Sequence, residues 1–371
     1  MARVFHDGFE LGRPRYTTHS TERYDGGLWL VRTGTGHASD QWCGVTTSKR
    51  SGVYGLYMTG YTTWTTAYCH ARHVFPSAIN EHYGRVFFHK GKLLTNSDFI
   101  RLRSASGNII QFRAITSNDR LIIYCLGVAI YDEEFVLPNT VWKKIEWHLK
   151  VDPVDGIFEC KIDGVLVVSY VGDTQGTHMG FRELMLYMEN AGFNSGNNTQ
   201  FYFDDVAIND TEGTVNNSWV GQGAILLLKP KAQGDFSQFS PSNITLENWE
   251  MVKDAPMDSD STYNASDTLE SIDSYVTQGV VTDLGLAPVE GISRVKAIQT
   301  IVTARWENDV GDLLSFLRVN GVDSEGAQHI INSGYDRGWA HMFNINPFTG
   351  QAWTFQDTEN LQVGIKHKAR V

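Results

Sequence analysis

The amino-acid sequence predicts an all-β protein built of two antiparallel β-sandwich domains in tandem. Apolar and polar residues alternate with a period of two over runs of four to eight residues. Clusters of Gly, Asn, Asp and Pro separate these runs at a spacing of about ten residues. The chain has 371 residues, of which 35 are glycine, so it is long enough for two domains with many turns. Regular spacing of short strands is typical of sandwiches and not of alternating strands and helices.

Five alternating segments predict strands in the first half of the chain: Arg85–His89, Ile109–Ile115, Leu121–Cys125, Lys144–Val151 and Phe158–Ile162. Asp155-Gly156 and Asp163-Gly164 flank the last of these segments. An Asp-Gly pair favours the tight two-residue turn of a hairpin, because both central positions of that turn need positive φ. We therefore expect two consecutive hairpins over residues 142–170.

The predicted domain boundaries are 1–212 and 223–371, joined by a linker at 213–222 that is rich in Gly, Asn, Thr and Ser. The acidic, Ser-rich stretch Asp254–Asp273 predicts a loop in the second domain. The strands predicted there are Ala224–Lys229, Ile292–Trp306, Asp312–Val319, Ala327–Asn332, Gly338–Phe343 and Leu361–Lys366.

Charge and hydropathy exclude several classes of function. The formal net charge of −11 opposes binding to nucleic acid or anionic lipid. The longest apolar stretch, Leu121–Tyr131, is too short for a membrane span, which needs about 20 residues. The charged N-terminus does not resemble a signal peptide, so we expect synthesis in a cytoplasm. Four cysteines without a CxxC motif indicate neither a disulfide framework nor a zinc site.

The sequence shows no established catalytic pattern. A glycosidase of this fold class needs two carboxylates on one face of a strand, and the acidic run Asp132-Glu133-Glu134 is better explained as a solvated loop. A Gly-x-Ser-x-Gly nucleophile motif is absent. These observations predict that the protein is not an enzyme, although a hydrolase would be supported by two facing carboxylates in a cleft.

Two groups of residues could hold a metal. Cys69, His70 and His73 lie close in sequence, but no second Cys/His cluster could complete four ligands, so a structural role is favoured. Asp204 and Asp205 are weak candidates for a calcium site because carboxylate oxygens suit calcium. A melting temperature that does not change with EDTA would exclude this site. Otherwise the sequence predicts no metal and no cofactor.

Aromatic residues concentrate between Tyr54 and Phe75. Tyr61, Trp64 and Tyr68 could stack on sugar rings as in a lectin, or they could pack in the core or against another subunit. The alternation of this segment favours core or subunit packing. Loss of glycan binding on Trp64→Ala would support the lectin interpretation.

The hairpin segment Lys144–Gly164 and the later segment Gln200-Phe-Tyr-Phe-Asp-Asp-Val-Ala-Ile resemble the concanavalin A-like, laminin G-type jelly roll over residues 1–212. In that family a strand ending in Asp-Gly crosses one face, and a Phe-Asp-Asp-Val strand closes the sheet. The junction after Ile208 and the closing segment Asn346–Lys366 are similar to those of bacteriophage virion proteins with a second β-rich domain. Laminin G-type domains sometimes bind calcium, which would involve Asp204 and Asp205.

The resemblance implies a non-enzymatic virion structural protein, located in the particle after synthesis in the host cytoplasm. It would be a capsid decoration, a collar or a tail accessory. Its expected partners are other virion proteins and copies of itself in a cyclic homo-oligomer such as a trimer. The alternative is a carbohydrate-binding module on the tail that recognises a host glycan.

Overall fold

The computed structural model describes residues 3–11, 23–24, 28–33, 41–60, 67–93, 96–190, 199–254, 261–286, 294–305, 311–331 and 337–370. The chain forms two compact units, the first ending at Leu226 and the second beginning at Leu227. Both consist of antiparallel strands with three short 3-10 helices at Ser117–Asp119, Asn248–Met251 and Gln356–Thr358. The all-β prediction is confirmed. None of the described helices is long and apolar enough to cross a membrane.

The first unit contains sixteen strands among its described residues. In chain order they are β1 (Arg3–Asp7), β2 (Arg23–Tyr24), β3 (Leu30–Thr33), β4 (Gln41–Thr46), β5 (Gly55–Gly60), β6 (Ala67–Ile79), β7 (Glu81–Lys92), β8 (Ser97–Arg103), β9 (Asn108–Ala114), β10 (Leu121–Cys125), β11 (Val128–Glu133), β12 (Trp142–Lys150), β13 (Gly156–Ile162), β14 (Val165–Gly172), β15 (Phe181–Asn190) and β16 (Thr199–Asp210).

These strands form two sheets. Sheet I has the order β14-β13-β12-β7-β16-β5-β4, with β1 also paired to β16, and sheet II has the order β11-β10-β9-β8-β15-β6-β3-β2. Aromatic side chains fill the space between them: Phe88 of sheet I stacks on Phe99 of sheet II with ring centroids 4.1 Å apart. Trp147 of sheet I is fully buried above Gly84, where a Cβ atom would lie 2.1 Å from the indole. The first unit is therefore a jelly-roll-like sandwich of two sheets.

The two predicted hairpins are present, but only one has the predicted turn. Asp163 and Gly164 both have positive φ, 51° and 89°, as the two-residue turn requires. At the other reversal, Asp152 accepts hydrogen bonds from the backbone N–H groups of Val154 and Asp155. Gly156 does not have positive φ. A Cβ atom there would lie 2.2 Å from Thr174 Oγ1, so close packing requires this glycine.

The second unit contains the strands β17 (Pro230–Ser237), β18 (Ser240–Pro241), β19 (Asn264–Ala265), β20 (Ile272–Thr277), β21 (Ile298–Ala304), β22 (Asp312–Val319), β23 (Val322–Ile330), β24 (Arg337–Phe343) and β25 (Gln362–Lys368). Sheet III has the order β17-β20-β25-β22-β23, and β21 pairs with β24. Leu317 on β22 shares an apolar cluster with Phe343 on β24. Sheet III therefore packs against the β21–β24 pair.

The strand predicted at Ala224–Lys229 does not form. The backbone N–H of Ile225 donates to Asp205 Oδ1 at 2.6 Å. This N–H group is therefore not available to pair with the backbone of a neighbouring strand. Residues 213–222, expected to be a linker, lie within the first unit. The backbone of Gly221 donates to Glu146 and accepts from Arg85, both on sheet I. The outer face of sheet I is covered there.

Candidate functional site

The outer face of sheet II carries an unusual group of charged side chains. In β8 and β9 the core residues Leu102 and Phe112 are fully buried. The neighbours of Leu102 and Phe112 within each strand point to the opposite face, because successive side chains of a strand alternate between the two faces of a sheet. Arg101, Arg103, Gln111 and Arg113 therefore share the outer face of the sheet.

Asp98 joins two of these arginines. It is fully buried and accepts hydrogen bonds from Arg101 Nε at 2.8 Å, Arg113 Nε at 2.6 Å and Gln111 Nε2 at 2.9 Å. Asp98 and Arg113 are directly opposite each other in the β8–β9 pair. One carboxylate thus binds two guanidinium groups, and Asp98, Arg101 and Arg113 together carry a net positive charge.

A second group of the same kind lies beside it. Glu183 on β15 accepts from Arg72 Nη1 of β6 at 2.8 Å and from Arg103 Nη1 of β8. Glu183 and Arg103 are directly opposite in the β8–β15 pair. The long-range pairing of β15 between β6 and β8 brings these three residues together, and again one carboxylate serves two arginines.

Aromatic rings adjoin the charged groups. Tyr68 and His70 of β6 and Tyr187 of β15 have centroids 6.0–6.5 Å apart and planes within 15° of parallel. The guanidinium carbon of Arg101 lies 3.6 Å from the centroid of the Tyr187 ring. Burial raises the pKa of Tyr187 to about 12, although Arg101 acts in the opposite direction. The phenol therefore stays protonated at neutral pH.

This face is partly open to solvent. The side chains of Arg101, Arg72, Arg103 and Arg113 are 18, 21, 24 and 35% exposed, whereas Asp98 is fully buried. Among the described residues, Arg113 donates its hydrogen bond to Asp98. A guanidinium group has five N–H donors, so Arg113 can donate to a ligand without leaving Asp98.

The outer face of sheet I also contains paired charges, but a chain segment closes over them. Arg85 is buried and donates to the backbone oxygens of Asp205 and Gly221. Lys161 Nζ lies 3.6 Å from the ring centroid of Trp219. These charges attach residues 219–225 to the sheet. Away from this segment the outer face of sheet I is partly exposed, for example at Glu81 and Glu159.

The calcium candidates Asp204 and Asp205 lie in this covered region. Both are fully buried, at a bulge in β16 where Asp205 has a φ of 51°. Asp204 Oδ2 accepts from the backbone N–H groups of Arg50 and Ser51, and Asp205 accepts from Arg50 Nη1 at 2.8 Å. The described residues contain no group of three or more His, Cys, Asp or Glu arranged to hold a metal. Calcium binding stays a prediction.

The other sequence candidates fall in different places. Tyr61 and Trp64 lie outside the described residues, and Tyr68 lies beside His70 and Tyr187 on the outer face of sheet II.

Two further clusters from the sequence do not form sites in the described part of the chain. Cys69 points into the core, where burial raises the pKa of its thiol well above its usual range, and His73 stacks on Phe5 at 4.0 Å. Asp132 and Glu133 are exposed at the end of β11 and not in a loop, and Asp132 pairs with Arg120.

Sequence reasoning missed the two arginine–carboxylate groups. A signal was present in the repeated patterns Arg101-Leu-Arg103 and Gln111-Phe-Arg113, in which charged or amide residues occupy one face of two successive strands. Glu183 and Arg72 could be added only through the pairing of β15 with β6 and β8, which joins segments about one hundred residues apart.

Comparisons with known proteins return solved structures only. No protein-family model matches the chain, and no curated protein matches it. The chain is similar to the cellulose-induced protein Cip1 at 15% identity and a TM-score of 0.39, over 57% of this chain and 100% of Cip1. It is also similar to alginate lyase Aly36B at 11% identity and a TM-score of 0.36, over 53% and 95% of the two chains. A β-1,3-1,4-glucanase (lichenase) from a mouse hindgut metagenome matches at 13% identity and a TM-score of 0.36, over 55% and 97%.

These matches correct one prediction and leave another without support. The prediction that the chain is not an enzyme is contradicted, because the matching structures include a polysaccharide lyase and a glucanase. They give no support to the virion interpretation. A place in a phage particle stays a prediction from the sequence.

Proposed function

We propose that the outer face of sheet II binds an acidic polysaccharide. The observation that supports this most directly is the pair of groups in which one carboxylate, Asp98 or Glu183, holds two arginines. Each carboxylate neutralises one guanidinium and orients both. Each group therefore keeps one positive charge and N–H donors in fixed positions, which suits the carboxylate of a uronic acid.

The neighbouring rings suit the remainder of a sugar. Tyr68, His70 and Tyr187 have nearly parallel planes, and sugar rings present C–H groups that pack on aromatic faces. His70 and Tyr187 are only 5 and 8% exposed and Arg101 lies on the Tyr187 ring, so the half-buried Tyr68 is the ring that a sugar would contact. Gln111 adds an amide beside Arg101. A face that combines apolar rings with a few oriented polar groups is typical of small-ligand and glycan sites.

The local charge is opposite to that of the chain. Within the two groups and beside them, the four arginines outnumber the three carboxylates Asp98, Glu183 and Glu189, in a protein with a net charge of −11. Solvent-exposed charges interact over a screening length of about 8 Å at physiological salt. Binding should therefore depend on the local arginines and weaken as salt is added.

A second candidate function is cleavage of the same polysaccharide by β-elimination, for which the neighbouring His70 and Tyr187, 5 and 8% exposed, would be the base and the acid. The imidazole would remove the proton next to the uronate carboxylate, and the protonated Tyr187 would give its proton to the departing glycosidic oxygen. A carbon–carbon double bond forms as the glycosidic bond breaks, so atoms and charge balance. Hydrolysis by two carboxylates is less favoured, because Asp98 and Glu183 are each held by two arginines.

Calorimetric titration of the full chain with polygalacturonate, alginate and neutral lichenan tests the binding proposal. We expect binding to the acidic polymers only. Arg113→Gln should weaken it about tenfold or more, since one charge-assisted hydrogen bond contributes about 1.5–3 kcal/mol. Arg318→Gln is the matched control, because Arg318 on β22 of the second unit is likewise paired with carboxylates, those of Asp235 and Asp323. Equal binding of lichenan, or equal effects of the two variants, would overturn the proposal.

Incubation with the same polymers, followed by the ultraviolet absorbance of the new double bond, tests cleavage. A rise that is lost in Tyr187→Phe while binding persists would support elimination. Binding without any such rise would reject it and leave the binding proposal intact.

A further inference from the structure

The edge strand β14 has one neighbour among the described strands. It pairs with β13, and no described strand lies on its other side. An edge strand exposes a row of backbone N–H and C=O groups that can pair with another chain. A bulge at Val167 interrupts its pairing, so Val168–Gly172 is the regular part of this edge.

The side chains of β14 make the edge apolar. None of its eight residues is charged and none is proline. Val165, Leu166 and Val171 are 66, 49 and 70% exposed. Charged residues and proline on an edge are the usual means by which proteins prevent strand-to-strand association, and β14 has neither.

Three other edge strands in the described part of the chain do have this protection. β11 ends in Asp132-Glu133, and β23 carries Asp323 and Glu325. β17 begins with Pro230 and contains Lys231 and Asp235. β4 and β21 also lack charged residues and proline, but their described apolar side chains are buried or half-buried. The exposed Val165, Leu166 and Val171 therefore distinguish β14.

We propose that β14 pairs antiparallel with β14 of a second copy of this chain, so that sheet I continues across a two-fold axis. In such a pairing the same strand meets itself, and any charged side chain near the axis would face its own copy. The uncharged composition of β14 removes that repulsion. With Tyr170 at the axis, the exposed Val171 of one copy lies opposite Ser169 of the other.

The pairing has a consequence for the face described above, and this consequence rests on the proposed function. A two-fold axis between antiparallel strands is perpendicular to the sheet, so both copies present sheet II on the same side. Two polysaccharide sites would then face one polymer, which raises the overall affinity without new contacts.

Sedimentation of the full chain tests the pairing without any glycan. We expect a species of twice the 41.6 kDa chain mass at micromolar concentration. Ser169→Lys should weaken association at least tenfold, because the two lysines would lie about 7 Å apart across the axis. Within one copy the new lysine faces Glu159 of β13, so the fold should tolerate it.

Ala327→Lys is the matched control, since Ala327 is an exposed residue on the charged edge strand β23. Backbone hydrogen exchange in β14 provides a second measurement and should become faster on dilution of the wild-type protein. A monomer at all concentrations, or a dimer that Ser169→Lys and Ala327→Lys affect equally, would overturn the pairing. Neither result bears on polysaccharide binding by a single copy.

Discussion

Replacement of Asp98 by Asn tests whether the buried carboxylate organises the outer face of sheet II. Asn keeps the shape of Asp but loses the charge that Arg101, Arg113 and Gln111 share at 2.6–2.9 Å. Breaking a buried ion pair on one side costs about 3–5 kcal/mol. Arg101 and Arg113 are 18 and 35% exposed, so water replaces part of the lost interaction and we expect a cost near the lower limit, about 3 kcal/mol.

Differential scanning calorimetry of the full chain measures this cost. For a unit of this size, 1 kcal/mol corresponds to about 2–4 °C in Tm, so Asp98→Asn should lower the transition of the first unit by roughly 6–12 °C. The transition of the second unit should not change. Asp132→Asn is the control. Its partner Arg120 is 35% exposed and Asp132 itself is 38% exposed, whereas Asp98 is fully buried, so this replacement should leave Tm nearly unchanged. Equal shifts for the two variants would refute the reasoning.

Three further predictions concern stability, each measured by urea unfolding. Burial raises the pKa of Asp7 to about 6, so its contribution to stability is complete below about pH 4 and is lost as the pH rises through 6. Because burial also raises the pKa of Glu10, Asp7→Asn should reduce the fall in stability between about pH 4 and 6 without abolishing it, and an unchanged slope would contradict the assignment. Gly84→Ala places a Cβ atom 2.1 Å from Trp147 and should cost about 1–3 kcal/mol, so a neutral effect would contradict the packing. Asp273 accepts from the backbone N–H groups of Gln238 and Phe239 and from the side chains of Asn248 and Tyr275. Asp273→Asn should destabilise the second unit by about 2 kcal/mol, and a shift confined to the first unit would be inconsistent with that network.

Local patterns predicted the strands well where one face of a strand is apolar. Leu121–Cys125 and Asp312–Val319 form with the predicted bounds, since their residues alternate or run as apolar segments that only a sandwich core can bury. The positive φ values at Asp163 and Gly164 follow from the Asp-Gly pair alone. These features depend on neighbours in sequence.

The parts that were wrong depend on distant residues. Ala224–Lys229 is apolar enough for a strand, but Asp205 binds the backbone of Ile225, and nothing in the local sequence indicates that contact. The arginine–carboxylate groups require β15 to lie between β6 and β8. Many pairings are compatible with the same alternation, so a single sequence could not select this one.

A crystal structure with a bound hexuronate oligosaccharide tests the central claim most directly. We expect a sugar carboxylate within hydrogen-bonding distance of Arg101 or Arg113 and a sugar ring packed on Tyr68. An oligosaccharide bound to sheet I or to the second unit, with the outer face of sheet II empty, would contradict it.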